Sequence, residues 1–177
     1  MKDRYVVDTN VLIAASAADP VNPCDIDATP AEPAIRQMVW NWLSSFQKSE
    51  SRLVLDLAGK IFGEYGNKLG FNDFGLQMTQ YKFDRCEIDQ VDVRYDQDGH
   101  GILEDAHNKV IHDLADRKIV AASLEAKSEC GQSCVAFAGD TDWHEWEEYL
   151  IQIDFDIEPV IEEWSRAKYL EKQQRKA

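Results

Sequence analysis

Apolar residues fall into short continuous runs and helically spaced stripes that alternate along the chain. Tyr5-Val6-Val7 is such a run, as expected of a strand buried on both faces of a parallel sheet. Asp8-Thr9-Asn10 follows, offering an N-cap to residues 11–15, so the trio reads as a strand-to-helix turn. Residues 20–33 hold four of the five prolines with several acids and are expected to form a loop. In 34–46, Ile35, Met38, Val39, Trp42, Leu43 and Phe46 recur at helical spacing. Leu53-Val54-Leu55 is the second strand, and 58–69 the next helix, with Ile61, Phe62, Tyr65 and Leu69 on one stripe. Residues 70–81 are expected to be irregular or a short helix, 86–95 a third strand and 96–101 a polar turn. Residues 103–127 are helical in character, as one piece or two, and 134–138 form a fourth strand. A short helix over 144–150, an edge strand over 151–155 and a helix from 159 to the end complete the pattern.

Strands alternating with helices predict an α/β fold, an α/β/α sandwich around a central parallel sheet of four to five strands. One domain is expected over 1–160, with a basic C-terminal helix or tail over 161–177. In its last stretch Arg166, Lys168, Lys172, Arg175 and Lys176 stand against Glu171.

Charge narrows the functional classes. The 33 acids against 19 Lys and Arg give a net charge of −14. That balance argues against sequence-independent binding of nucleic acid through a bulk positive field and leaves a local basic patch open. The N-terminal apolar stretch, 5–18, is broken by Asp8 and Asn10; it is too short and polar for a membrane span and lacks signal-peptide features. A cytoplasmic protein with no membrane partner is the expectation. Cys24, Cys86, Cys130 and Cys134 make no C-x-x-C pair and no finger spacing, so free thiols are expected and zinc is not. His100, His107, His112 and His144 show no ligand spacing and receive no role.

Candidate chemistry lies in acids at strand ends, where open α/β sheets place their sites. Asp8 ends the first strand; Asp140 and Asp142 follow the fourth in Gly139-Asp140-Thr141-Asp142. Glu64 lies within the helix after the second strand. Asp116 stands just before Ile119-Val120-Ala121-Ala122, with Asp113 one turn earlier as its competitor. The bland readings are caps and turns for the first set and solvated helix acids for the second.

The order Tyr-Val-Val-Asp8-Thr9-Asn10, Leu-Val-Leu with Glu64-Tyr65 following, Asp116 before Ile-Val-Ala-Ala, and Phe-Ala-Gly-Asp140-Thr141-Asp142 resembles the PIN-domain nucleases over roughly residues 4–160. The resemblance implies a metal-dependent endoribonuclease, the toxin of a toxin–antitoxin pair or a defence nuclease. It implies catalytic Asp8, Glu64, Asp116 and Asp140, with Asp142 as a fifth metal ligand. An RNA substrate, an antitoxin or other protein partner and a homodimer come with it. The chemistry agrees: clustered carboxylates need a cation to stay ionised, and oxygen-only donors suit Mg²⁺ or Mn²⁺. Thr9 and Thr141 are expected to hold the carboxylates by hydrogen bonds, and Asn10 to do likewise or to cap the first helix. Residues 20–33 and 71–103 look longer than in small family members, and Trp143 stands where Phe or Leu is common.

Lys60 and Lys68 flank Glu64, and Arg117 and Lys118 follow Asp116; they are phosphate contacts or ordinary solubilising charges. Tyr65, Phe71, Phe74 and Trp143 are base-stacking candidates or core. Trp40 and Trp42 cannot both face inward on one helix, so one is expected at an interface. The alternatives are a catalytically silent PIN-like scaffold and a nuclease acting on DNA. A phosphatase of the haloacid-dehalogenase type is disfavoured because Asn10 stands where it needs a second Asp, and a receiver domain lacks its paired acid and Lys.

Overall fold

The computed structural model describes residues 1–21 and 27–176. Five strands, β1 (Arg4–Val7), β2 (Arg52–Asp56), β3 (Ile88–Val91), β4 (Cys134–Phe137) and β5 (Asp156–Pro159), form one sheet ordered β3-β2-β1-β4-β5. Every pairing is parallel. The helices are α1 (Thr9–Ser16), α2 (Pro33–Lys48), α3 (Lys60–Lys68), α4 (Phe74–Asp84), α5 (Asp105–Asn108), α6 (Arg117–Cys130), α7 (Asp142–Gln152) and α8 (Glu162–Lys176). They flank the sheet as an α/β/α sandwich, the fold class expected from the sequence. Right-handed crossovers put α1 to α4 on one face and α6 and α7 on the other. β1 and β4 are the most apolar strands because they are central and covered on both faces. No helix among the described residues is long and apolar enough to cross a membrane.

Several boundaries differ from the sequence expectation. Residues 151–155 are not an edge strand: α7 runs on to Gln152, and the edge strand β5 begins at Asp156. The terminal helix accordingly starts at Glu162. The helical stretch 103–127 divides into α5 and α6, and the third strand shrinks to Ile88–Val91. The expected loop over 20–33 lies partly outside the described residues, as does Cys24; Cys86, Cys130 and Cys134 are free thiols.

Residues 70–81 hold a full helix, α4. Gly75 lets it close on α1: a Cβ there would lie 2.8 Å from the Leu12 Cβ. Its amide donates to the buried Ser16 hydroxyl at 2.9 Å. Trp40 and Trp42 both pack, on opposite flanks of α2. Trp40 lies against Phe74, while Trp42 stacks on Phe46 and donates to Glu158. The expectation that they cannot both pack inward is corrected; each is half-buried.

Lys82 is a charge buried by this arrangement, at 0% exposure. Its ammonium donates to the Ser49 and Ser51 carbonyls and to Glu87, each at 2.8 Å. Lys82→Met would leave two buried carbonyls and one carboxylate oxygen without that donor. The expected loss is about 3 kcal/mol of unfolding free energy in urea titration. An unchanged midpoint would mean that the clamp adds nothing to stability.

Candidate metal centre

In sheet order the direction of chain progression reverses between β1 and β4, and a crevice opens beyond their carboxyl ends. Asp8 follows β1 directly and Asp140 lies three residues past Phe137, the last residue of β4. Asp116 precedes α6, which crosses back over the sheet. One carboxylate oxygen from each of the three lies within 4.8 Å of the others. They line a cleft of about 390 Å³ together with Thr9, Asn10 and Glu64.

Local hydrogen bonds aim these groups. Asp8, 4% exposed, caps α1 by accepting the Asn10 amide at 2.7 Å. Its second oxygen accepts the Trp143 indole N–H at 3.1 Å. Asp140 accepts the Asp142 amide at 2.8 Å. Asp116 occupies the N-cap position of α6 without capping it, and its buried Oδ2 accepts no hydrogen bond from the described residues. Burial pushes the carboxyls of Asp8 and Asp116 well above the usual carboxylate range, to about 7 and about 9, and raises that of Asp140. The neighbouring carboxylates add to the rise: Asp140 acts on Asp8, and Asp8 and Asp140 act on Asp116. Water solvates these charges poorly, and the pull of Lys118 on Asp116 and of Lys172 on Asp140 offsets the burial only in part. A hard divalent cation fits this donor set, because three oxygens converge and one of them has no other partner.

Glu64 and Asp142 are placed differently. Glu64 reaches the same cleft, since the Tyr65 hydroxyl donates to the Val7 carbonyl and seats α3 over the end of β1. Its carboxylate is already engaged, by the Thr9 hydroxyl on one oxygen and by the Lys118 ammonium at 2.6 Å on the other. Glu64 thus borders the trio rather than joining it. Asp142 pairs with Lys172 from α8 and does not line the cleft. The expected five-acid cluster is therefore three acids with two neighbours held by lysines. Thr9 holds Glu64, and Asn10 serves Asp8 through its backbone; Thr141 makes no side-chain capping bond.

Among the expected substrate contacts, Arg117 is turned away. Its guanidinium donates to the Ile111 and Asn108 carbonyls. Trp143 and Tyr65 are fully buried and Phe74 is packed on Trp40, so the stacking expectation is corrected for all three. Phe71 alone of that set is open, at 77% exposure.

Sequence reasoning passed over three features. Asp56 ends β2 as Asp8 ends β1, yet its two oxygens accept the Lys60 and Ile61 amides and cap α3. The signal was there, an acid at a strand end before a helix. Asp113 and Asp27 also line the cleft. Spacing pointed to Asp113, whereas nothing in the proline-rich stretch marked Asp27. On an exposed turn, Asp96, Asp98 and His100 also approach within 4.8 Å, although Asp96 there accepts the Asp98 and His100 amides.

Comparisons with protein-family models, with curated proteins and with solved structures give no match.

Proposed function

We propose that this protein is a metal-dependent phosphodiesterase that cleaves RNA, with Asp8, Asp116 and Asp140 as the metal-holding carboxylates. One observation carries the reading: three poorly hydrated carboxylates meet at the crevice where the strand order reverses, and one of their oxygens has no partner. Such an arrangement is costly without a cation, and the capping of α1 and the Trp143 bond account for Asp8 alone. The sequence resemblance to PIN-domain nucleases selects RNA among phosphodiesters, and Mg²⁺ or Mn²⁺ among hard cations.

A divalent ion held by Asp8, Asp116 and Asp140 would supply a water nucleophile at neutral pH and charge stabilisation at the phosphoryl oxygens. The chain's own residues prepare the site. The Trp143 indole and the Asn10 amide fix both oxygens of Asp8, so the carboxylate is oriented before any ligand arrives. Thr9 and Lys118 hold Glu64 at the rim, where it can accept a proton from an attacking water. Lys118, 9% exposed, brings a cation to within one residue's reach of the acids. All three carboxylates come from one chain, so neither a partner protein nor a second copy is needed to complete the site.

The test is incubation of the protein with single-stranded and structured RNA and with DNA, in Mn²⁺ or in chelator. Cleavage of RNA in Mn²⁺ alone is the expected result. Metal-dependent cleavage confined to DNA would reassign the substrate, and no cleavage anywhere would favour a silent scaffold.

A further inference from the structure

We infer that an open groove beside the acidic cleft is the track for the sugar–phosphate backbone of a polynucleotide, with Lys60 and Lys68 as its phosphate contacts. The inference rests on the nuclease reading and names where the substrate lies. The groove measures about 630 Å³ and runs along α3, and it shares Glu64, Lys68 and Ala115 with the cleft. A strand lying in it reaches the acids without leaving the surface.

Its charge is opposite to that of the molecule. Lys60, Lys68 and Lys118 line it against a single acid, Glu64, which Lys118 neutralises at 2.6 Å. Lys60 and Lys68 are exposed and make no ion pair among the described residues. In a chain with 33 acids for 19 bases, two cations without an ion pair at the two ends of one helix stand out, even with Lys60 Nζ 6.0 Å from the Tyr95 ring centroid. Most other basic side chains are consumed internally. The basic helix α8 illustrates this: Arg166 binds Glu147, Lys172 binds Asp142 and Lys176 binds Glu145. Positive potential is thus withdrawn from the terminal helix and kept along α3.

The floor of the groove points the same way. Gly63 lies inside α3, where glycine weakens a helix relative to alanine. Packing does not require it, since a Cβ there would meet nothing within 4 Å. Its φ is not in the left-handed region, so the turn does not require it either. What a bare helix surface allows is close approach of another chain; Gly99 also lines the groove, with Lys60 Nζ 3.6 Å from its would-be Cβ. Lys60 and Lys68 stand eight residues apart, about 12 Å along the helix axis, or three to four phosphates of a stacked strand.

The experiment is fluorescence anisotropy with labelled dodecauridylate and dodecathymidylate, in chelator, from about 50 to about 200 mM salt. Without metal the result does not depend on catalysis, so failure of the groove and failure of the nuclease reading are separable. The double variant Lys60→Gln/Lys68→Gln is expected to bind both oligomers about tenfold more weakly at low salt. Its slope of log affinity against log salt should fall by about 1.4. Gly63→Gln should weaken binding similarly while melting no lower than the wild type, which excludes misfolding. Lys48→Gln, on the exposed side of α2, should change nothing. Unchanged affinity and slope in the double variant, wild-type binding by Gly63→Gln, or no binding by the wild type would each overturn the assignment. A loss confined to the RNA oligomer would overturn it too, by showing a 2′-hydroxyl contact in place of phosphates.

Discussion

Replacing Asp116 by Asn is expected to lower metal-dependent RNA cleavage by about a thousandfold or more and to raise the melting temperature of the metal-free protein. The two effects have one cause. Asp116 shares its pocket with Asp8 and Asp140 and offers a buried oxygen that accepts no hydrogen bond. As a charge it is repelled by both neighbours; as the proposed metal ligand it would be indispensable. Asparagine keeps the shape and removes the charge, and its amide can donate to either neighbouring carboxylate. The repulsion is thereby replaced by a hydrogen bond of about 1 kcal/mol. Loss of a metal that stabilises the transition state by several kcal/mol corresponds to the rate factor. Glu64→Gln serves as the contrast. It breaks the pair with Lys118 and should lower the melting temperature instead. Cleavage rates under single-turnover conditions and thermal melts in chelator read both quantities. Wild-type cleavage by Asp116→Asn, or a lower melting temperature in chelator, would remove Asp116 from the centre.

The sheet was legible because its central strands obey a simple rule. Tyr5-Val6-Val7 and Cys134-Val135-Ala136-Phe137 are apolar throughout, and only a strand covered on both faces reads that way. Asp8 and Asp140 were legible for the same reason, as the first polar residues after those runs. The edges were harder. β5 (Asp-Ile-Glu-Pro) is half-exposed and carries polar residues, whereas Tyr149-Leu150-Ile151 ahead of it looks more strand-like but completes α7. α4 was obscured because its inward face is not a run of large apolar residues. It presents Gly75, Met78, Thr79 and Lys82, two of them satisfied by hydrogen bonds that no periodicity announces. At the site, the distinction between ligand and neighbour could not be read from spacing. Glu64 and Asp142 carry the same side-chain chemistry as Asp8 and Asp140. What separates them is a lysine each, Lys118 and Lys172, brought up by α6 and α8 from 54 and 30 positions away in the chain. Tertiary electrostatics decides which acids remain free for a cation.

The dependence of stability on pH should differ in sign with and without metal. Asp8, Asp116 and Asp140 all titrate above the ordinary carboxylate range in the folded chain, because burial and mutual repulsion favour the protonated form. Between the unfolded value near 4 and the raised folded values, the unfolded state has released protons that the folded state retains. Unfolding free energy therefore falls as pH rises through that window. Carboxylates held low by cations, such as Glu147 beside Arg166, contribute below the window, where their stabilisation is lost on acidification. His144 is held low by burial and acts oppositely near its own titration, so the comparison must be made against Asp116→Asn. In chelator, the wild type should lose stability relative to that variant from about pH 5 to about pH 8. With Mn²⁺ the trend reverses, since a divalent ion binds only deprotonated carboxylates and its affinity grows with pH. At a hundredfold excess over the dissociation constant, binding adds about 2.7 kcal/mol, or about 5–10 °C in a chain of this size. The metal-induced rise in melting temperature should be small at pH 5, large at pH 8 and strongly reduced in Asp116→Asn at both. An equal rise at the two pH values, or an equal rise in wild type and variant, would place the metal elsewhere on this acidic surface.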